Sequence, residues 1–413
     1  MPTTEEPTTS IRPLISTAAL LAAYSILFAL LDRYDWGQPF VRFASLASML
    51  AACLLTRSAG VARVSGRAAW VELILAAGLV IFLAERALLL GWGELGLAPR
   101  VDVGVTTRDA ARMLLLDGRN PYRSETIAVL GDDSLYWGYK YGPAMIFGYS
   151  ICAVVGGAGV KIANLTYLVL TLLSVFFLAR RQDHSRAGCA TALICCGLTL
   201  LPNRMWYELF YQGVVDIFPI CLIMLSLLSI GSRSWFVAGL LAGLSLSAKF
   251  SPGIFYIALL LKRERVPRLL VGLACGLLPL AAFLLWDAGA LLRNFLVFHL
   301  IKGHDSTSLY SITPRELHPI FPLIQVAAAA CLLAENYRER IEPRLLASRL
   351  LLLILVVEMT YKEVHENHLI WFIPLAALHL GLGRHGFLPD LLRTSRSFAR
   401  GPSPLGQNGV VGR

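Results

Sequence analysis

The sequence predicts an all-α, polytopic membrane protein of about twelve transmembrane helices. Three observations carry that prediction. Of the 413 residues, 56% are hydrophobic and only 15% are charged, and the mean hydropathy is +0.63. A soluble domain carries about 25% charged residues. Apolar runs of roughly 17–25 residues recur along the chain, each long enough to cross a bilayer as a helix. The alternating ten-residue pattern of a membrane barrel is missing. Backbone polar groups inside lipid must be satisfied within their own segment, which leaves helices.

In order, the spans are expected at 13–31, 39–56, 68–90, 160–179, 187–202, 214–231, 234–248, 252–261, 269–286, 319–334, 347–361 and 369–383. The segment 143–158 is apolar but interrupted at Gly156-Gly157-Ala158-Gly159, and is expected as a re-entrant or interfacial helix rather than a crossing. The first run follows a polar, mildly acidic stretch without a basic region and cleavage site, so it is expected to be a retained span. Residues 1–388 form the membrane domain. Residues 389–413, rich in Arg, Ser, Gly and Pro, are expected to be a disordered cytoplasmic tail. The eight cysteines all fall within apolar runs and fit small core residues better than a disulfide or zinc framework.

The net charge of +10 reports topology. Basic clusters recur on alternate loops: Arg57, Arg63 and Arg67; Arg180, Arg181 and Arg186; Arg233; Lys262, Arg263, Arg265 and Arg268; and Arg338, Arg340, Arg344 and Arg349. Placing these loops and both termini in the cytoplasm gives that side the basic excess expected of a plasma-membrane protein. The charge is therefore no sign of nucleic-acid binding.

The other loops then share the extracytoplasmic face, and the reactive side chains collect there. The polar segment from Gly91 to Pro143 carries Asp102, Asp109, Tyr122, Tyr139, Lys140 and Tyr141. The short loop 203–213 adds Arg204, Trp206, Glu208 and Gln212, with Asp216 just inside the next span. Lys249 lies at the tip of a tight hairpin, Ser247-Ala248-Lys249-Phe250-Ser251-Pro252. A lysine among apolar residues costs about 2.5–3.5 kcal/mol on insertion scales. It either meets an anion or snorkels to the interface. Five of the eight histidines, His299, His304, His318, His365 and His368, fall on this face. The spacing of His365 and His368 would suit two metal ligands, but no third ligand has matching spacing, so neither metal nor cofactor is expected. Glu72, Glu85, Arg86 and Glu358 lie in or near spans.

In their order along the chain these residues resemble the integral-membrane glycosyltransferases of the C superfamily, and most closely glycosyltransferase family 87. The family pattern of an early Asp, a small-residue helix and Leu-Leu-x-Gly-x-x-Pro-Tyr is matched by Asp102, Ala110-Ala111 and Leu115 through Tyr122. A Tyr-x-Tyr-Pro-Pro element is matched by Tyr139 to Pro143, with Gly142 in place of one proline. A Gly-Gln element resembles Gln212-Gly213 in inverted order. A glycine-rich helix leading to Lys-x-x-Pro resembles Gly239 through Lys249 and Pro252, and a late His-x-x-x-Leu-x-Trp-x-x-Pro element resembles the stretch from His365 to Pro374. The family's large loop follows one span; here three precede it, which leaves the loop on the same side.

The resemblance implies transfer of a sugar, most often mannose, from a polyprenyl phosphate to an acceptor hydroxyl on a glycan or glycolipid, at the extracytoplasmic face of the bilayer. It implies an Asp general base, with Asp102 first and Asp109 as its competitor. Read from position alone, Asp102 could instead cap the helix carrying Asp109 to Leu116, and Asp109 could be a first-turn acid favoured by the helix dipole. Tyr122, Lys140, Tyr141, Glu208, Gln212, Lys249, His365, Glu366 and His368 are the expected substrate-binding residues. A transporter or lipid flippase is the rival reading; it would place charge near mid-membrane, in paired repeats.

Overall fold

The computed structural model describes residues 102–123, 138–181, 192, 195–196, 199, 203–260, 267–301, 305–306, 313–338, 342–361, 363–364 and 368–382. The expected spans 13–31, 39–56 and 68–90, most of 187–202, and the tail 389–413 lie outside these residues. Within them the chain is helical, apart from two strands of two residues each.

Helix α1 (Asp102–Leu115) opens the described chain. It begins at Asp102 itself, so Asp102 is a helical residue of the first turn. The sequence-based alternative of a loop carboxylate capping a helix at Asp109 does not hold. The apolar segment after the loop forms two short helices, α2 (Pro143–Gly148) and α3 (Ile151–Val155). At about 1.5 Å per residue, neither can cross a bilayer. Gly156, at φ +72°, ends α3 in the left-handed region that favours glycine. The chain then reverses into α4 (Gly157–Arg180), 24 residues long. This is about 36 Å, apolar on every side and suited to crossing a membrane. A Cβ on Gly159 would stand 2.8 Å from the Cys152 Cα, so α3 folds directly back on the start of α4.

Next come α5 (Asn203–Trp206), which continues as a π-helical turn over Tyr207–Gln212, then α6 (Ile217–Gly231), α7 (Trp235–Ala248) and α8 (Phe250–Leu260). The expected span 269–286 is not one helix. It divides into α9 (Pro267–Gly276) and α10 (Leu278–Leu292), and α10 is itself broken at Asp287, where the backbone is extended. Pro279 lacks the N–H that would continue the ladder, and its ring crowds the carbonyl one turn back. A π-helical turn (Arg293–Val297) and α11 (Phe298–Ile301) follow. Helices α12 (Ile320–Arg338), α13 (Pro343–Thr360) and α14 (Leu369–Leu382) complete the described chain. Among the described residues, three stretches are long and apolar enough to span: Gly157–Arg180, Leu278–Val297 and Arg315–Ala334.

Two features fix the frame around the site. The first is the pairing of α7 with α9. A Cβ on Gly239 would stand 2.0 Å from the Leu269 carbonyl oxygen, and one on Gly272 would stand 2.0 Å from that of Phe236. Gly243 and Gly276 repeat the contact one turn on. Two small-xxx-small faces thus bring backbone against backbone, the packing available when lipid removes the hydrophobic drive between helices. The second is the clustering of helix ends. Arg181 donates to the Leu228 carbonyl (3.1 Å) and to Ser232 Oγ (2.5 Å), joining the ends of α4 and α6 where the basic loops were expected. At the other end, strands β1 (Asp305–Ser306) and β2 (Glu363–Val364) pair in parallel, Asp305 opposite Glu363. That pairing joins the two polar loops 287–318 and 362–368.

Candidate active site

The polar loops converge through their backbones first. Asn294 is fully buried. Its Oδ1 accepts from Gly138 N (2.8 Å), and its Nδ2 donates to the carbonyls of Tyr122 (2.8 Å) and Ala290 (2.9 Å). One side chain thereby holds both ends of the loop segment to the π-helical turn that follows α10. Arg123 adds an ion pair with Asp287 at 3.0 Å. Asp287 Oδ1 meanwhile accepts from Ala290 N (3.0 Å) and so caps the second half of the broken helix. Gly142 N donates to the Ala248 carbonyl at 2.8 Å. A Cβ at Gly142 would stand 2.0 Å from the Ser247 carbonyl oxygen, so a glycine here is what lets the loop lie against the Lys249 hairpin.

Tyrosines line that approach. Tyr122 is buried, and its hydroxyl donates to the Tyr141 carbonyl at 2.6 Å. Tyr139 OH lies 3.2 Å from Thr107 Oγ1 on α1, and its ring packs edge-on against Tyr122 and Tyr141. Burial pushes both the Tyr122 and Tyr139 phenols well above their ordinary range, so they remain neutral.

Lys249 occupies the far end of this row. It breaks the helix between α7 and α8 with an extended backbone, φ −149° and ψ 130°. Its ammonium lies 5.4 Å from the centroid of Tyr141 and 4.6 Å from that of Trp371, within cation–π range. Lys249 Nζ donates to Asp216 Oδ1 at 2.5 Å, and the Trp371 indole N–H donates to the same oxygen at 2.8 Å. Trp371 stacks on His368, centroids 4.0 Å apart and planes 16° apart. His368 directly precedes α14 and Trp371 lies in its first turn, three positions on, hence on the same side. His368 Nδ1 lies 3.0 Å from Glu358 Oε2. Asp216, Lys249, Trp371, His368 and Glu358 thus form one continuous cluster, buried but for a small exposed part of Lys249. It lies where the loop tyrosines meet the bundle of α6, α7, α13 and α14.

Of the sequence-predicted residues, Tyr141, Lys249 and His368 come together here, with Tyr122 behind Tyr141. Snorkelling does not describe Lys249, whose side chain is only 13% exposed and is ion-paired. Asp109 pairs with the neighbouring Arg108 at 2.8 Å and is partly exposed. Lys140 lies over the Phe298 ring at 5.3 Å. Glu208 is buried in the π-helical turn, and its backbone carbonyl accepts from Gly213 and Val214. Gln212 Nε2 donates to Tyr207 OH at 3.3 Å. The side chain of Asp102, together with His365 and Glu366, lies outside the described residues. Asp216, Trp371 and Glu358 were not among the expected site residues. A carboxylate at the edge of an apolar span is itself a signal, because it requires a partner, but sequence does not say which one.

No protein-family model matches the sequence, and no curated relative matches it. Solved structures do. The chain has the fold of ArnT. The structure of ArnT from Cupriavidus metallidurans bound to undecaprenyl phosphate superposes with a TM-score of 0.51 at 16% identity, covering 78% of this chain and 63% of that one. The apo state of the same protein gives a TM-score of 0.48 at 17% identity. This chain therefore spans under two thirds of the length of ArnT.

Proposed function

We propose that the protein is an integral-membrane glycosyltransferase. It takes a glycosyl group, with mannose the sugar favoured by the sequence resemblance, from a polyprenyl phosphate. It passes that group to a hydroxyl of a glycan or glycolipid at the extracytoplasmic face of the plasma membrane. The observation that carries the reading is a largely buried lysine, flanked by aromatic rings, where the polar loops meet apolar helices. A polyprenyl-phosphate headgroup needs a cation at just such a boundary, and the shared fold with ArnT, solved with undecaprenyl phosphate, agrees with it.

The reaction is a single displacement with inversion. The acceptor oxygen attacks the anomeric carbon from the face opposite the phosphate. The bond from that carbon to the phosphate oxygen breaks, and its electron pair leaves with the polyprenyl phosphate. The acceptor proton passes to an aspartate, Asp102 in the first turn of α1 or, failing that, Asp109. Charge grows on the departing phosphate, and a cation 4 Å away contributes about 4 kcal/mol at an effective dielectric of 20. Lys249 supplies that cation. Tyr141 and His368, beside Lys249, flank the donor headgroup, and Tyr122, Lys140, Glu208, Gln212, His365 and Glu366 are the further candidates for donor and acceptor contacts.

Transfer from radiolabelled polyprenyl-phosphate mannose in membranes tests this reading. Asp102→Asn is expected to reduce turnover by about 10²–10⁴-fold, and Asp109→Asn by far less. Full activity of Asp102→Asn removes it as the base. Absence of transfer from polyprenyl-phosphate mannose, glucose and arabinose alike, with normal folding, overturns the enzyme reading.

A further inference from the structure

Asp216 occupies the position just before α6, where a carboxylate would ordinarily cap the helix. No side-chain cap bond forms there. The carboxylate instead turns toward Lys249 and Trp371, and both bonds end on the same oxygen, Oδ1. Three separate elements contribute to this placement: the start of α6, the broken α7–α8 junction and the face of α14. A fourth, the loop at Gly142, is bonded to the carbonyl next to Lys249. A buried ion pair is weak evidence for stability, since apolar replacements of similar volume are often as stable. The cluster therefore calls for another explanation, and the donor inventory of lysine provides one. An ammonium has three N–H donors. The bond to Asp216 uses one, and the two rings fix the direction of the Nζ atom.

We infer that Asp216 is the positioning residue of a phosphate site, with Trp371 holding its carboxylate and Lys249 presenting its remaining N–H donors to the phosphate of a polyprenyl-phosphate headgroup. This rests on the assignment of Lys249 as the donor-phosphate contact. Asp216 holds the ammonium stationary in an apolar setting while the headgroup is absent. On arrival, the phosphate shares a cation already in place, so less ordering is left to be done. Asp216 touches no substrate and acts through Lys249.

The test is binding of undecaprenyl phosphate and of undecaprenol to the full chain in detergent micelles. The alcohol keeps the tail and lacks the phosphate, so the ratio of the two affinities isolates the headgroup contact. Lys249→Met is expected to abolish the preference for the phosphate. Asp216→Asn and Trp371→Phe are each expected to lower phosphate affinity at least tenfold while leaving undecaprenol binding unchanged, and Asp216→Glu to restore part of it. In turnover, Asp216→Asn raises KM for the donor and leaves KM for the acceptor unchanged. If Lys249→Met leaves the ratio intact, the phosphate-contact reading itself fails. If Lys249→Met abolishes the ratio while Trp371→Phe and Asp216→Asn preserve it, the positioning role is overturned and the phosphate contact stands. Equal loss of both ligands in the Asp216 and Trp371 variants means a purely structural role, and also overturns it. Should Asp216→Asn not fold, Trp371→Phe, which keeps an aromatic ring beneath Nζ and removes the indole N–H, decides the matter.

Discussion

Helix α7 and the lysine just past its end are held by opposite physics. Along its length, Gly239 and Gly243 press backbone to backbone against α9, with no charge and no room for a methyl group. Just past its end, Lys249 is fixed by a carboxylate and two aromatic rings contributed by three other parts of the chain. The glycine contact is insensitive to chemistry and intolerant of volume. The lysine cluster tolerates changes of shape better than the loss of one partner. A rigid, uncharged contact beside a polarised cluster keeps the cation in place without spending further charged groups on the scaffold.

The largest expected effect that separates the two is Asp216→Ala. Removing one member of a buried pair leaves the other uncompensated, at about 3–5 kcal/mol. In detergent this lowers the thermal midpoint and the monodisperse fraction. Asp216→Ala combined with Lys249→Met regains most of the loss, because no charge is left unpaired; a double variant as unstable as the single would show that the pair is not the source. Next is Gly272→Ala. Its added methyl lands 2.0 Å from the Phe236 carbonyl oxygen, and overpacking of this kind costs about 1–3 kcal/mol. Gly289→Ala is the control, its nearest neighbour being Asp287 Oδ1 at 3.7 Å, and its midpoint should stay within a degree or two of the parent. Equal effects at Gly272 and Gly289 would end the claim that α7 and α9 meet through their backbones.

Asn294→Ala follows. It strands Gly138 N and frees the Tyr122 carbonyl, for about 1–3 kcal/mol. Hydrogen exchange should speed up at Gly138 and Tyr139 while remaining slow across α7 and α9. The smallest expected effect is Tyr122→Phe, which deletes the single bond to the Tyr141 carbonyl at about 1 kcal/mol. Its signature is faster exchange near Tyr141 with little change in thermal midpoint.

Helices were legible because apolar run length and composition report burial in lipid directly; α4, α6 and α7 lie close to where the runs place them. The division of 269–286 was legible only in part. Pro279 marked a break, but the kink falls at Asp287, which pairs with Arg123, distant in sequence. The site was half legible. Lys249 stood out because charge in an apolar hairpin is costly, and His368 and Tyr141 came from the ordered motifs. Asp216 was noticed without a role, and Trp371 stood only as the tryptophan of the late motif from His365 to Pro374, with no partner assigned.

By itself, the sequence determined the class of the molecule, the course of its described spans and the gathering of reactive side chains in the loops between them. These follow from local quantities: hydropathy over a helix length, and charge per loop. The tertiary structure decided which of those side chains are partners. Asp216 meets Lys249 across 33 positions and Trp371 across 155. No periodicity within one helix encodes such a meeting. It arises because backbone contacts at Gly142, Gly239 and Gly272 set the distances between helices, and a buried charge then bonds to whatever opposite charge and donor those distances bring within about 3 Å.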